Sequence, residues 1–230
     1  MKKQLTLAIP SLIGLAIFGL SAWIIAVVYP QISWLRDAYW LVHLILPLVL
    51  MGGALTLHLT AKGRTPMYLL SYLLNTIGSG CLIGAIFGLR NYIPTPSLLI
   101  GLLPAAFLCC ASCMTLLFSK EFQQELTQII LMVLAIGLSI FGIYVWAAHS
   151  MPFGCTFLFS ALFVVPFPKA VCNAEKEWQR RFHYLSRSGF GAFALVTTVA
   201  AFILSDGDIL DGLDGFDFSD MGGSGKKKGK

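Results

Sequence analysis

The sequence predicts an all-α protein, a polytopic integral membrane helix bundle of about seven transmembrane helices. Three observations predict it. Of the 230 residues, 57% are hydrophobic and only 12% are charged, and the mean hydropathy is +0.79. A soluble domain carries about twice that share of charge. The apolar residues fall in runs near the length of about 20 that one membrane crossing requires. The composition thereby excludes disordered, collagenous, coiled-coil, disulfide-framework and nucleic-acid-binding classes.

Seven runs qualify: 5–29, 38–59, 67–89, 98–118, 126–148, 151–167 and 189–204. Lys2 and Lys3 precede the first, whose apolar core is longer than the 7–15 residues typical of a cleaved signal, so an uncleaved anchor is expected. In the second, Pro47 removes a backbone donor and frees the carbonyl of His43, and Gly52 and Gly53 follow. His43 would lie about 7–8 Å inside the outer boundary, and His58, roughly 22 Å further along, cannot share an ion with it. An imidazole there can bind a metal, relay a proton or bond a neighbouring carbonyl.

The third run carries Thr76, Gly80, Gly84 and Gly88 every four residues. Such a stripe lets another helix backbone come close, as a structural crossing or as a seam between copies. Asn75 and Ser79 lie beside it, and with His43 and Pro47 they form the candidate polar or pore-lining face. In the fourth run Pro104 predicts a kink. Cys110 and Cys113 have the spacing of a redox pair but lie in an apolar span, where a thiolate is disfavoured and packing is the simpler role. All six cysteines sit in or beside apolar runs. The sixth and seventh runs are short, so six spans with a re-entrant segment is the alternative. Ile13 to Trp23 and Ile136 to Trp146 also match as an internal repeat of the first and fifth spans.

Orientation follows from the basic residues. Lys2, Lys3, Lys62, Arg64, Lys120, Lys169, Lys176, Arg180, Arg181 and Arg187 fall on one side, against Arg36 and Arg90 on the other. This places the N-terminus in the cytoplasm of a cell membrane. Tyr29, Trp34, Tyr39, Trp40, Tyr92 and Trp146 would form the outer aromatic belt.

No span interior carries Asp, Glu, Lys or Arg. This argues against pumps, acid-driven antiporters, retinal proteins and aspartyl proteases, which depend on intramembrane charge. Gly78-Ser79-Gly80 with Ala148-His149 resembles in outline the serine–histidine pair of the rhomboid proteases. Their motif has a glycine two residues before the serine, where this chain has Ile77. Ser79 at mid-span and His149 at an outer end would also not come within about 3 Å. No enzyme activity, cofactor or metal site is expected.

Two soluble features complete the chain. Residues 169–187 read as one interfacial amphipathic helix, with Val171, Ala174, Trp178, Phe182 and Leu185 on an apolar stripe among basic residues. Trp178, Arg180, Arg181 and Phe182 are its candidate lipid contacts, and Glu177 is spaced to pair with Arg181. Residues 206–230 read as a flexible acidic tail with a basic tip. There Asp211, Leu213, Asp214, Phe216, Asp217 and Phe218 suit a docking motif that orders on binding; a third aspartate at position 6 breaks the calcium-loop pattern. The expected function is a non-enzymatic membrane scaffold or sensor that engages membrane lipid, a second copy or a protein partner, but no nucleic acid. The alternative is an uncoupled carrier or channel for a neutral or weakly polar solute.

Overall fold

The computed structural model describes residues 2–34, 45–89 and 95–204, and these are helical, without strands. Among the described residues eight α-helices follow in order: α1 (Lys2–Trp23), α2 (Leu46–Thr60), α3 (Thr65–Leu89), α4 (Thr95–Met114), α5 (Glu121–Ala148), α6 (Met151–Val164), α7 (Phe167–Lys176) and α8 (Arg181–Leu204). Among the described residues, six helical segments are long and apolar enough to cross a membrane, with α6 and α7 counted as one and α2 described over 15 residues only. His43 and the tail residues Asp211, Leu213, Asp214, Phe216, Asp217 and Phe218 lie outside the described residues, as do Arg36, Asp37, Tyr39, Trp40, Arg90 and Tyr92.

Five helices close a ring, with α3 against α1, α1 against α4, α4 against α6, α6 against α8, and α8 back against α3. The sequence of each presents a stripe to it. In α1, Gln4, Leu7, Ser11, Gly14, Leu15, Phe18 and Ala22 are buried, a spacing of three and four that keeps one face inward. In α6 every position from Cys155 to Val164 is buried, the pattern of a helix apolar on all sides and enclosed by protein. Phe18 of α1 meets Phe163 of α6 across the ring at 5.0 Å, and both are buried. These two rings pack between helices that are not neighbours in the ring.

The other two long helices lie outside it, α2 on α3 and α5 on α6. In α5 a buried stripe of Gln128, Leu131, Ala135, Ser139, Gly142 and Val145 faces the bundle. Ile129, Val133, Leu134, Ile140 and Phe141 face outward, with Ile140 62% exposed. A helix apolar on both its inner and its outer face is suited to hydrocarbon on the open side.

Glycine governs two close contacts. A Cβ on Gly80 would stand 2.5 Å from the Phe18 carbonyl oxygen, and one on Gly84 would strike that of Ala22. The third-span stripe is thus covered by α1 of the same chain, a structural crossing, and only Gly88 of its glycines has open space beside it. At the other end of α3, Lys62 and Gly63 turn the chain with φ of 42° and 86°, the left-handed region where glycine is unstrained.

The single helix expected over 169–187 is two. α7 ends at Lys176, Glu177 leaves helical geometry (φ −126°, ψ 67°), and a 3-10 turn Trp178–Arg180 leads into α8. The tertiary fold imposes this break, since α7 must turn back so that α8 can pack on α3 and α6. Three stripe residues, Val171, Ala174 and Leu185, are fully buried in the bundle, so the apolar face covers protein. The last helix starts at Arg181, not Gly189, and its 24 residues remove the shortness of that span. The break also changes the ion pairing: Glu177 meets Arg180 at 3.3 Å, while Arg181 lies over the Trp178 and Phe182 rings at 5.3 and 4.7 Å.

Candidate functional site

Among the described residues, polar side chains gather at the junction of α2, α3 and α8, on the platform made by α7 and the start of α8, and in a smaller buried cluster where Gln128 donates to Thr115 Oγ1 and to the Ser112 carbonyl. At the junction, one face of α3 supplies Tyr68, Ser71, Asn75 and Ser79 at spacings of three and four. α2 supplies His58, and α8 supplies His183 and Ser186.

Hydrogen bonds join these in a chain whose direction is determined. Ser71 Oγ lies 2.7 Å from the Ala54 carbonyl oxygen and 2.9 Å from Ser186 Oγ, and Ser186 Oγ lies 2.8 Å from His58 Nδ1. A carbonyl only accepts and a hydroxyl holds one proton. Ser71 therefore donates to Ala54, Ser186 donates to Ser71, and His58 donates from Nδ1–H. That assigns the His58 proton and leaves Nε2 as the free acceptor of the neutral ring. His58 also stacks on His183 at 5.1 Å and meets the edges of Tyr68 and Phe190, each at 5.3 Å. Two stacked imidazoles repel when both are charged, so the pair favours at most one positive charge.

One turn deeper, Asn75 is fully buried, and neither its Oδ1 nor its Nδ2 has a partner among the described residues. Gly189 of α8 sits over it, where a Cβ would stand 3.0 Å from Nδ2. Ser79, also fully buried, donates to the Asn75 carbonyl at 2.7 Å, and Thr76 donates to that of Tyr72 at 2.8 Å. Pro47 is buried at the start of α2, its carbonyl 3.5 Å from where a Gly78 Cβ would stand. Asn75 and Ser79 thus share a face, with Pro47 packed near Gly78, and that face is closed by α2 and α8.

The platform is built differently. Pro166 and Pro168 restart the chain as α7, whose buried Phe167, Ala170, Val171 and Ala174 seat it on the bundle. A groove of about 360 Å³ lies between α7 and α5, and another of about 350 Å³ lies between α7 and α8. In the first, Lys176 binds Glu121 at 2.9 Å and approaches Glu125 at 3.7 Å. These three sit at helix ends beyond the apolar runs. Hydrogen bonding and charge from Lys176 hold the Glu121 carboxyl below its ordinary range, and the same contact raises Lys176. The second groove is lined by Lys169, Asn173, Tyr184, Arg187 and Ser188 with Pro166 and Ala170, and it contains no carboxylate. Among the described residues neither Lys169 nor Arg187 has an ion-pair partner.

The expected lipid contacts Trp178, Arg180, Arg181 and Phe182 form the corner between α7 and α8, with the two aromatic rings half-buried and Arg180 exposed. Sequence reasoning did not find Ser71, Ser186 or the meeting of His58 with His183, because these are contacts between residues more than 100 apart in the chain. The polar period on α3 is the one signal that reaches them. Among the described residues no group of three or more metal-ligating side chains is present. No family model, curated protein or solved structure matches this chain.

Proposed function

We propose that the chain is a multi-pass protein of the cell membrane with its N-terminus in the cytoplasm, acting without catalysis as a scaffold or sensor whose cytosolic platform engages anionic lipid. The observation that carries this is the platform itself. Lys169, Arg180, Arg181 and Arg187 are set around one short helix and the turn after it, with Trp178 and Phe182 between them. Cations attract anionic headgroups, and half-buried aromatic rings sit well at the boundary between water and hydrocarbon. The same end of the bundle carries Lys62, Arg64 and Lys120 at the other helix connections. The outward apolar face of α5 supplies the surface that lipid would cover.

The experiment is native mass spectrometry of the full chain released from nanodiscs of mixed zwitterionic and anionic lipid. Retained lipid enriched in the anionic species, with the enrichment lost when Lys169, Arg180, Arg181 and Arg187 are changed together to glutamate, supports this reading. Retention that matches the bulk lipid composition rejects it.

A second reading, an uncoupled carrier for a neutral or weakly polar solute, rests on Asn75. An amide with both polar atoms unpartnered at full burial is costly, about 1–3 kcal/mol for each group, and a passing solute could satisfy it. Solute flux into proteoliposomes that Asn75→Leu abolishes would favour this reading over the first. The buried Phe18–Phe163 contact across the helix ring makes it the weaker one.

A further inference from the structure

We infer that the groove between α7 and α8 is a discrete binding site for the phosphate of an anionic phospholipid headgroup. The inference rests on the membrane reading above and names the ligand chemistry of its platform. Three features separate this groove from the general basic surface.

The first is its donor set. Lys169 contributes an ammonium, Arg187 a guanidinium, Ser188 a hydroxyl and Asn173 an amide N–H, while the Tyr184 hydroxyl is engaged by Glu177. A guanidinium fork with hydroxyl and ammonium donors matches a phosphate's several acceptor oxygens, and charge-assisted bonds of this kind are the strong ones. Ser188 is buried at 6% exposure, so its hydroxyl belongs to the floor of the groove.

The second is the charge balance. In the neighbouring groove, which Lys169 also lines, Lys176 is paired with Glu121 and Glu125. In the α7–α8 groove Lys169 and Arg187 stay uncompensated among the described residues. At the rim, Glu177 accepts a hydrogen bond from the Tyr184 hydroxyl and is engaged by Arg180 at 3.3 Å.

The third is shape and place. At about 350 Å³ the groove falls within the roughly 300–1,000 Å³ of small-molecule sites, enough for a phosphate and its glycerol but not for a macromolecular segment. Lys169 and Asn173, one helical turn apart, also line the more apolar groove on the other side of α7, which is walled by Ile129 and Met132. A headgroup held at Lys169 thus has an apolar surface beside it for an acyl chain. A free phosphate would have no use for that surface, which favours lipid as the source.

Isothermal titration calorimetry on the purified full chain tests this, with a short-chain phosphatidic acid, the matching phosphatidylcholine, glycerol phosphate and inorganic phosphate as separate titrants. The expected result is saturable, one-to-one binding of the phosphatidic acid, weakened at least about tenfold by Lys169→Gln with Arg187→Gln, because loss of charged hydrogen bonds has effects of that order. Lys169→Arg should retain most of the affinity, and Lys2→Gln with Lys3→Gln, outside the platform, should leave it within about twofold. Equal binding of glycerol phosphate or inorganic phosphate overturns the lipid assignment. Loss spread equally over both double variants overturns the discrete site while leaving diffuse lipid binding. No binding by the chain, together with no anionic enrichment in nanodiscs, removes both the site and the reading beneath it.

Discussion

Ser186 of α8 donates its hydroxyl proton to Ser71 of α3, and that direction sets the protonation of His58 on a third helix. Replacing Ser186 with alanine removes two hydrogen bonds and strands the His58 Nδ1–H. Replacing Ser71 removes two bonds but leaves His58 its acceptor. Ser186→Ala should therefore lower stability by about 1–2 kcal/mol, more than Ser71→Ala, and the two losses should not add. Thermal unfolding of both single variants and the double in detergent measures this.

The crossing of α1 and α3 depends on hydrogen in place of a methyl. A Gly80→Ala side chain would meet the Phe18 carbonyl at 2.5 Å, and Gly84→Ala the Ala22 carbonyl. Each should destabilise by about 1–3 kcal/mol, as overpacking does. Gly88 meets nothing within 4 Å, so Gly88→Ala should be neutral or stabilising by up to about 1 kcal/mol. The melting temperatures of the three variants should separate into these two groups.

Gly63 has a φ of 86° in the turn between α2 and α3. Gly63→Ala should lower the unfolding midpoint through roughly 1 kcal/mol of backbone strain, although the space around it is open. A midpoint equal to the parent's would show the turn relaxing to negative φ.

The Glu121–Lys176 pair ties the start of α5 to the end of α7. The carboxyl titrates below its ordinary value when folded. Its contribution is therefore fully present above the unfolded value of about 4.3, and it is lost as pH falls through the folded one. Glu121 is 69% exposed, so the effect is small and screened by salt. Glu121→Gln should shrink the fall in melting temperature between about pH 7 and about pH 3, and added salt should shrink it in the parent.

Asn75→Leu removes two unpartnered polar groups while roughly keeping volume. With no solute bound it should raise stability by about 1 kcal/mol or more. A fall instead would show that the amide is satisfied in the folded protein, by water or by a solute.

The helices were legible because lipid-length apolar runs are long, continuous signals. The close-packing stripe was legible too, since a spacing of four in small residues reports a crossing whatever the partner; that the partner is α1 is a tertiary fact. The break at Glu177 was not legible. The stretch from Lys169 to Ser188 contains no glycine or proline to mark it, and its apolar period continues through it. For the same reason the stripe read as lipid-facing, although Val171, Ala174 and Leu185 are buried against protein. The junction of His58, Ser71 and Ser186 left only the polar period on α3 as a signal, because the partners of Ser71 lie on other helices.

Amide hydrogen exchange across residues 165–190, compared in nanodiscs of phosphatidylcholine with and without phosphatidylglycerol, tests the membrane-platform reading most directly. Anionic lipid seated on the platform should slow exchange in α7 and the first turns of α8 and leave the Ala61–Arg64 turn unchanged. Identical protection in both lipids, or slowing of equal size at Ala61–Arg64, would contradict it.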